Sequence, residues 1–260
     1  MNKEQYHLIK HGFTFTLIFL GLINYSVLGL AQPTSPIEQS SNQIKIRFQQ
    51  QDSDGSSRGR PGRRGGTGSR GDCPPVDLQL TALIPSSNLG SFVEAHPTLW
   101  FYIPYKSSEV TTAEFSLQDE QNNDVYRTNF TLPNTPGTVS LSLAQAPPLE
   151  INKKYQWYVK VYCSQQKLSA PVFIRGWVER VALKPELAKQ LQTATTPRER
   201  VAFYAQNGIW YSALTELAKL RIAQPQNATV NNDWASLLRD VGLENLVQKP
   251  VAGEVNLHKK

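Results

Sequence analysis

Near Ala182 the spacing of apolar residues changes from two to about 3.6. That change divides any fold open to this chain into a β part and a later α part. Seven short apolar runs read as strands between Cys73 and Val181: Leu78 to Ile84, Thr98 to Tyr102, Ala113 to Leu117, Val125 to Leu132, Val139 to Leu143, Tyr155 to Cys163 and Val172 to Val181. Asn122-Asn123 can take the positive φ of a tight turn, so the runs flanking it should pair antiparallel. In the sixth run Tyr155, Trp157, Val159, Val161 and Cys163 share one face. Seven strands separated by turn signals predict a β-sandwich over residues 73–182.

Beyond Ala182 the signals are helical. Pro185-Glu186 opens a short helix carrying Leu187 and Leu191. Thr196-Pro197-Arg198-Glu199 is a capping box with Pro at the first helical position, and Asn207-Gly208 stops the helix it starts. Trp210, Ala213, Leu214, Leu217, Ala218 and Leu220 share a face of the next helix, which ends near Pro225. Asn231 or Asn232 is read as the cap of a last helix stopped by Gly242. Residues 183–248 are therefore expected to form a small helical module, with Tyr204, Trp210, Tyr211 and Trp234 as packing residues. Residues 249–260 read as a flexible tail.

The N-terminal third has another character. Lys3 and Lys10 precede an uncharged run, Phe13 to Ala31, that ends Gly29-Leu30-Ala31. This is the order of a secretory signal cleaved after Ala31, and a retained membrane anchor is the competing reading. Residues 32–72 are rich in Gln, Ser, Gly, Pro and Arg, broken only by Ile44, Ile46 and Phe48, and read as disordered. The net charge of the chain is +6, and residues 1–31 hold +1 of it. Arg58, Arg60, Arg63, Arg64 and Arg70 supply the remaining +5, so the basic balance belongs to one short segment. In an exported protein that run has no nucleic acid to meet. It is a candidate contact for an anionic polymer or an acidic protein patch, against the alternative of a solvated spacer. Arg70-Gly71-Asp72 is taken as a chance tripeptide. The two cysteines of an exported chain are most simply one disulfide, Cys73–Cys163, with two separate buried thiols as the alternative.

Few residues offer chemistry. His96 and His258 stand alone, and no nucleophile elbow or phosphate-cradling loop occurs. No catalytic, cofactor-binding or metal-ligating residue is assigned. Asp119, Glu120 and Asp124 cluster around the Asn122-Asn123 turn, a candidate calcium or acid/base site against the alternative of solvated turn chemistry; with Glu114 they are the candidates for carboxylate-dependent hydrolysis, which needs two of them across a cleft. Asp52-Ser53-Asp54-Gly55 lacks the remaining ligands of a calcium loop. Asn129-Phe130-Thr131 matches a glycosylation acceptor but lies within a strand.

Three resemblances bear on fold and family. Leu149, six residues before Tyr155, resembles the tyrosine corner of immunoglobulin and fibronectin type III sandwiches, in which the Tyr hydroxyl bonds to upstream backbone. Tyr204 to Asn227, with Gly208, Ala213 and Pro225, resembles a single tetratricopeptide repeat, which implies a helical hairpin covered by one further helix. The phrases HPTLWFYIPY, EFSLQDEQNNDVYRTNFTLPNTPGTVSLSL, KYQWYVKVYC and ERVAFYAQNGIWYSALTELAKLR resemble a family of exported cyanobacterial proteins catalogued as domain of unknown function 928. That likeness implies an envelope location and no known activity. The expectation is mainly β with C-terminal α: an immunoglobulin/fibronectin-like sandwich followed by a tetratricopeptide-like hairpin and capping helix. The expected role is that of a non-enzymatic cell-envelope protein, periplasmic or extracellular, with no cofactor and no membrane span after cleavage. Its partner would be an envelope protein or an anionic polymer.

Overall fold

A computed structural model describes residues 44–50, 73–164 and 171–258. The segments read as signal peptide and as Arg/Gly run, with Arg58, Arg60, Arg63, Arg64 and Arg70, lie outside the described residues.

Ten strands and four helices follow in the order β1 Thr81–Ala82, β2 Leu89–Phe92, β3 Thr98–Ile103, β4 Thr112–Gln118, β5 Asp124–Thr131, β6 Gly137–Ser142, β7 Lys154–Tyr162, β8 Val172–Arg180, α1 Pro185–Thr193, α2 Pro197–Gln206, α3 Trp210–Ala223, α4 Ala228–Asp240, β9 Val251–Glu254 and β10 Asn256–Leu257. The strands form two sheets, ordered β1-β3-β6-β9 and β10-β5-β4-β7-β8-β2. Inward residues alternate along β7 (Tyr155, Trp157, Val159, Val161) and β8 (Val172, Ile174, Gly176, Val178), as the period of two requires. The sheets share one apolar core, with Phe101 of β3 meeting Phe130 of β5 at a ring-centroid distance of 6.2 Å. Asn122 takes φ 65° in the turn joining β4 to β5, which pair antiparallel.

Three departures from the sequence reading concern strands. The first expected strand shrinks to Thr81–Ala82. Strand β2, with the sequence LGSF, carries too little apolar pattern to announce itself, yet it pairs parallel with β8. Residues 251–257, read as part of a flexible tail, instead close both sheets. β9 pairs with β6, β10 pairs with β5, and Val255 between them is 4% exposed while its amide donates to the Ser140 carbonyl. The signal is weak because VAGE contains a glycine at φ 113° and each strand is only a few residues long.

In the helical part the capping box is present: Thr196 Oγ1 accepts from the Glu199 amide at 3.2 Å, and Glu199 Oε2 accepts from the Thr196 amide at 2.8 Å. Gly208 (φ 69°) and Gly242 (φ 70°) follow the ends of α2 and α4. The cap of α4 is Asn227, not Asn231 or Asn232, because its side chain accepts from the amides of Thr229 and Val230. Helix α3 buries Tyr211 and Ser212 as well as the expected stripe, because it is wedged between the other helices and the sheets. Trp210 Nε1 donates to the Leu83 carbonyl at 2.8 Å, Trp100 Nε1 donates to Thr215 Oγ1 at 3.0 Å, and the Tyr211 ring lies on Gly90. A Cβ at Gly90 would come within 2.3 Å of that ring, so only glycine admits the helix there.

Residues 44–50 overturn part of the disordered reading of 32–72. They run extended along α2 and α4 and insert Ile46, 1% exposed, into the core. Phe48 meets Trp210 edge-on at 5.0 Å. The alternation of Ile44, Ile46 and Phe48 is the strand-like signal that the surrounding polar sequence concealed.

Candidate binding face

Three of the four candidate carboxylates, Glu114, Asp119 and Asp124, are engaged by neighbours. Asp119 accepts from the amides of Gln121 and Asn123 at 2.9 and 2.8 Å and from Asn123 Nδ2 at 2.9 Å. These bonds, the Asn123 side chain first, hold its carboxyl below the usual carboxylate range. Asp124 is lowered by Gln118 and then by Arg127, whose Nη2 lies 2.9 Å from Asp124 Oδ2. Glu114 Oε1 accepts from Arg127 Nη1 at 2.7 Å and from Lys160 Nζ at 2.9 Å. Glu120 is exposed on the turn. Asp119 and Asp124 are thus ionised at neutral pH, the wrong state for a proton donor. Two hollows, of about 550 and 170 Å³, lie beside residues 44–50, and none of the four carboxylates lines either one. Among the described residues no group of three His, Cys, Asp or Glu is placed to hold a metal.

What Glu114 and Asp124 do form is part of the outer face of the six-stranded sheet. Register across β5, β4, β7 and β8 sets outward side chains in rungs. One rung is Asn129, Glu114, Lys160 and Phe173; the next is Arg127, Ser116, Tyr158 and Arg175. A third is Asp124, Gln118, Gln156 and Trp177, continued by Leu89 of β2. Tyr158, Tyr162, Phe173 and Trp177 are half-buried on this outer side, while their neighbours in sequence point into the core. The polar groups between the rings are fixed: Tyr158 donates to Gln156 Oε1 at 2.8 Å, and Gln118 Nε2 donates to Asp124 Oδ1 at 3.0 Å. The Arg127 guanidinium is held charged by Asp124 and Glu114. Rings that present an apolar body, separated by fixed donors and acceptors, suit an extended ligand with both apolar and hydroxyl-bearing or amide surfaces. The sequence reading places Asp119, Glu120 and Asp124 by the turn but misses the aromatic face. It took the inward stripe of β7 as the informative one and left the outward Tyr158 and Tyr162 unused.

The other sequence candidates fall elsewhere. Cys73 and Cys163 form a disulfide with Cα atoms 4.9 Å apart, a state that points to an oxidising compartment. Tyr204, Trp210, Tyr211 and Trp234 are buried, as expected of packing residues. His96 Nδ1 lies 3.2 Å from the Leu143 carbonyl, and the His258 amide donates to Asn129 beside β10. Among the described residues no helix is long and apolar enough to cross a membrane.

A family model described as Domain of Unknown Function (DUF928) matches residues 65–251. No curated protein matches the chain.

Proposed function

The chain belongs to the Domain of Unknown Function (DUF928) family, and we propose that it is an exported, non-enzymatic protein of the cell envelope that binds a polymer or another protein through the outer face of the six-stranded sheet. The observation that carries this reading is the set of half-buried rings, Tyr158, Tyr162, Phe173 and Trp177, interleaved with the fixed polar groups of β4, β5 and β7. The disulfide and the signal-like residues 1–31 support export, and the resemblance of the quoted phrases to a family of exported proteins supports the envelope. We read the two sheets as an immunoglobulin/fibronectin-like sandwich. In support, the Tyr155 hydroxyl accepts from the upstream Glu150 amide at 3.1 Å, as a tyrosine corner does. We read α2 and α3 as one tetratricopeptide-like hairpin, with α4 packed on α3 as its cover.

A pelleting assay with purified envelope polysaccharide and peptidoglycan tests the face. Trp177→Ala combined with Tyr158→Ala should weaken retention at least tenfold, about 1.4 kcal/mol, with the cooperative melt kept. Equal retention by the variant would remove this face from the reading. Release of soluble fragments from the polymer, lost in Glu114→Gln, would replace binding with hydrolysis.

A further inference from the structure

Residues 44–50 are held by a row of side chains that mostly read main chain. The Ile44 carbonyl accepts from Arg198 Nη2 at 2.7 Å, and the Ile46 carbonyl accepts from Ser236 Oγ at 3.0 Å. The Phe48 amide donates to Asp240 Oδ2 at 2.8 Å, and the Gln49 amide donates to the Ala205 carbonyl at 3.0 Å. The other Asp240 oxygen accepts from Arg47 Nη1 at 2.9 Å. Asp233, Ser236 and Asp240 recur at i, i+3 and i+7, one stripe of α4. Asp233 grips Arg198 through Nε at 2.6 Å and Nη2 at 3.0 Å, aiming that guanidinium at the strap. Main-chain hydrogen bonds give affinity for any extended strand, and the seats of Ile46 and Phe48 select its side chains.

The groove residues and their occupant differ in one respect. Arg198, Asp233, Ser236 and Asp240 all lie within the family match, which begins at residue 65 and leaves residues 44–50 out. Residues 51–72, up to about 70 Å when extended, join the strap to Cys73, so their length permits the strap to leave while the disulfide holds the body.

We propose that α2 and α4 form a binding site for an extended peptide, which the chain fills with its own residues 44–50. The strap is then a competitor in cis. The partner it fits is a strand of the same chemistry: two apolar side chains in alternation, the second aromatic, with a cation between them to meet Asp240. A tethered competitor acts at an effective concentration in the millimolar range. A partner strand therefore enters when it is itself held nearby or when the strap is drawn away. This site is separate from the sheet face and does not depend on it.

The test uses the full chain with a specific protease site inserted within residues 51–72, so that no groove or strap residue changes. After cleavage, dilution should release the strap while the disulfide-bonded body keeps a cooperative melt. A fluorescein-labelled synthetic peptide of residues 42–51 should then bind the cut body. The same peptide should bind the uncut protein at least tenfold more weakly. Asp240→Asn in the cut body should weaken the peptide at least tenfold, and a scrambled peptide should not bind. Collapse of the body when the strap leaves would make the strap a core element and overturn the proposal. So would failure of the peptide to rebind, or unchanged affinity in Asp240→Asn.

Discussion

Trp210 is where three parts of the chain meet. Its indole nitrogen donates to Leu83 beside β1, its ring takes the edge of Phe48, and its backbone begins α3. It is fully buried, so Trp210→Ala leaves a cavity and an unpaired carbonyl, and should cost roughly 3–5 kcal/mol. That is a large share of the roughly 5–15 kcal/mol a domain has. Urea denaturation should show a markedly lower midpoint; a midpoint equal to wild type would refute a packing role. One turn away, burial sets the acid–base limits of the fold. Tyr204 is pushed from 10.0 up to about 12, first by desolvation and then by Glu94 and Glu216. Burial also raises Tyr211, whose hydroxyl faces the Trp157 indole without a strong hydrogen bond. A phenol is neutral when protonated, so a raised folded-state pKa favours the fold while the proton stays on. This stabilisation is complete below about pH 10 and lost as pH rises through about 12. Thermal melts across that range, followed with phenolate absorbance, should show ionisation coinciding with unfolding. Free titration of these tyrosines in a still-folded protein would contradict their burial.

At the scale of elements, legibility follows how much of an element's logic is local. Strand β7 and helix α2 could be read because alternation in the one and the capping box in the other lie within a few residues. Strands β2, β9 and β10 could not, since their partners β8, β6 and β5 lie far along the chain and their own side chains are small or mixed. The start of α4 was placed a turn late because three asparagines compete there, and only the structure shows Asn227 accepting the free amides. The alternation of Ile44, Ile46 and Phe48 in the strap is visible in the sequence, yet its partners Ser236 and Asp240 stand about 190 residues away, where no local pattern reaches. The outer face of the six-stranded sheet depends on register across four strands and was invisible for the same reason. The disulfide, by contrast, needed only composition and compartment. It joins the residue that follows the Arg/Gly segment to the one that follows β7, 90 residues apart. Closing a loop of that length should contribute about 4.6 kcal/mol by chain entropy. Reduction should therefore lower the denaturant midpoint strongly. The native protein should carry no alkylatable thiol, and two such thiols would refute the bond.

On the scale of the whole molecule, charge and fold are separable. Everything after residue 31 sums to +5, and the five Arg between 58 and 70 account for all of it. The folded body is close to electrically balanced, and its ion pairs lie within or between neighbouring elements and are partly exposed: Arg198–Asp233 in the groove, Arg127 with Glu114 and Asp124 on the sheet, and Arg200–Glu216 between α2 and α3. Arg47 differs from the five. It pairs with Asp240 as part of the strap and must be left in place in any test of the run. Both neighbours of residues 51–72 are fixed, Gln49 by its bond to Ala205 and Cys73 by the disulfide, so neither anchor needs the arginines. Replacing Arg58, Arg60, Arg63, Arg64 and Arg70 by Ser should leave the melting temperature almost unchanged. Surface substitutions free of such contacts fall within about 0.5 kcal/mol. If the run contacts an anionic polymer, the same variant should bind heparin-like or teichoic-type polyanions more weakly and with a flatter salt dependence, since fewer charges are left for salt to screen. A large drop in melting temperature would show the arginines packed on the body. Unchanged polyanion affinity would leave the run a spacer between the strap and the first cysteine, and would move the search for the partner entirely to the sheet face and the groove.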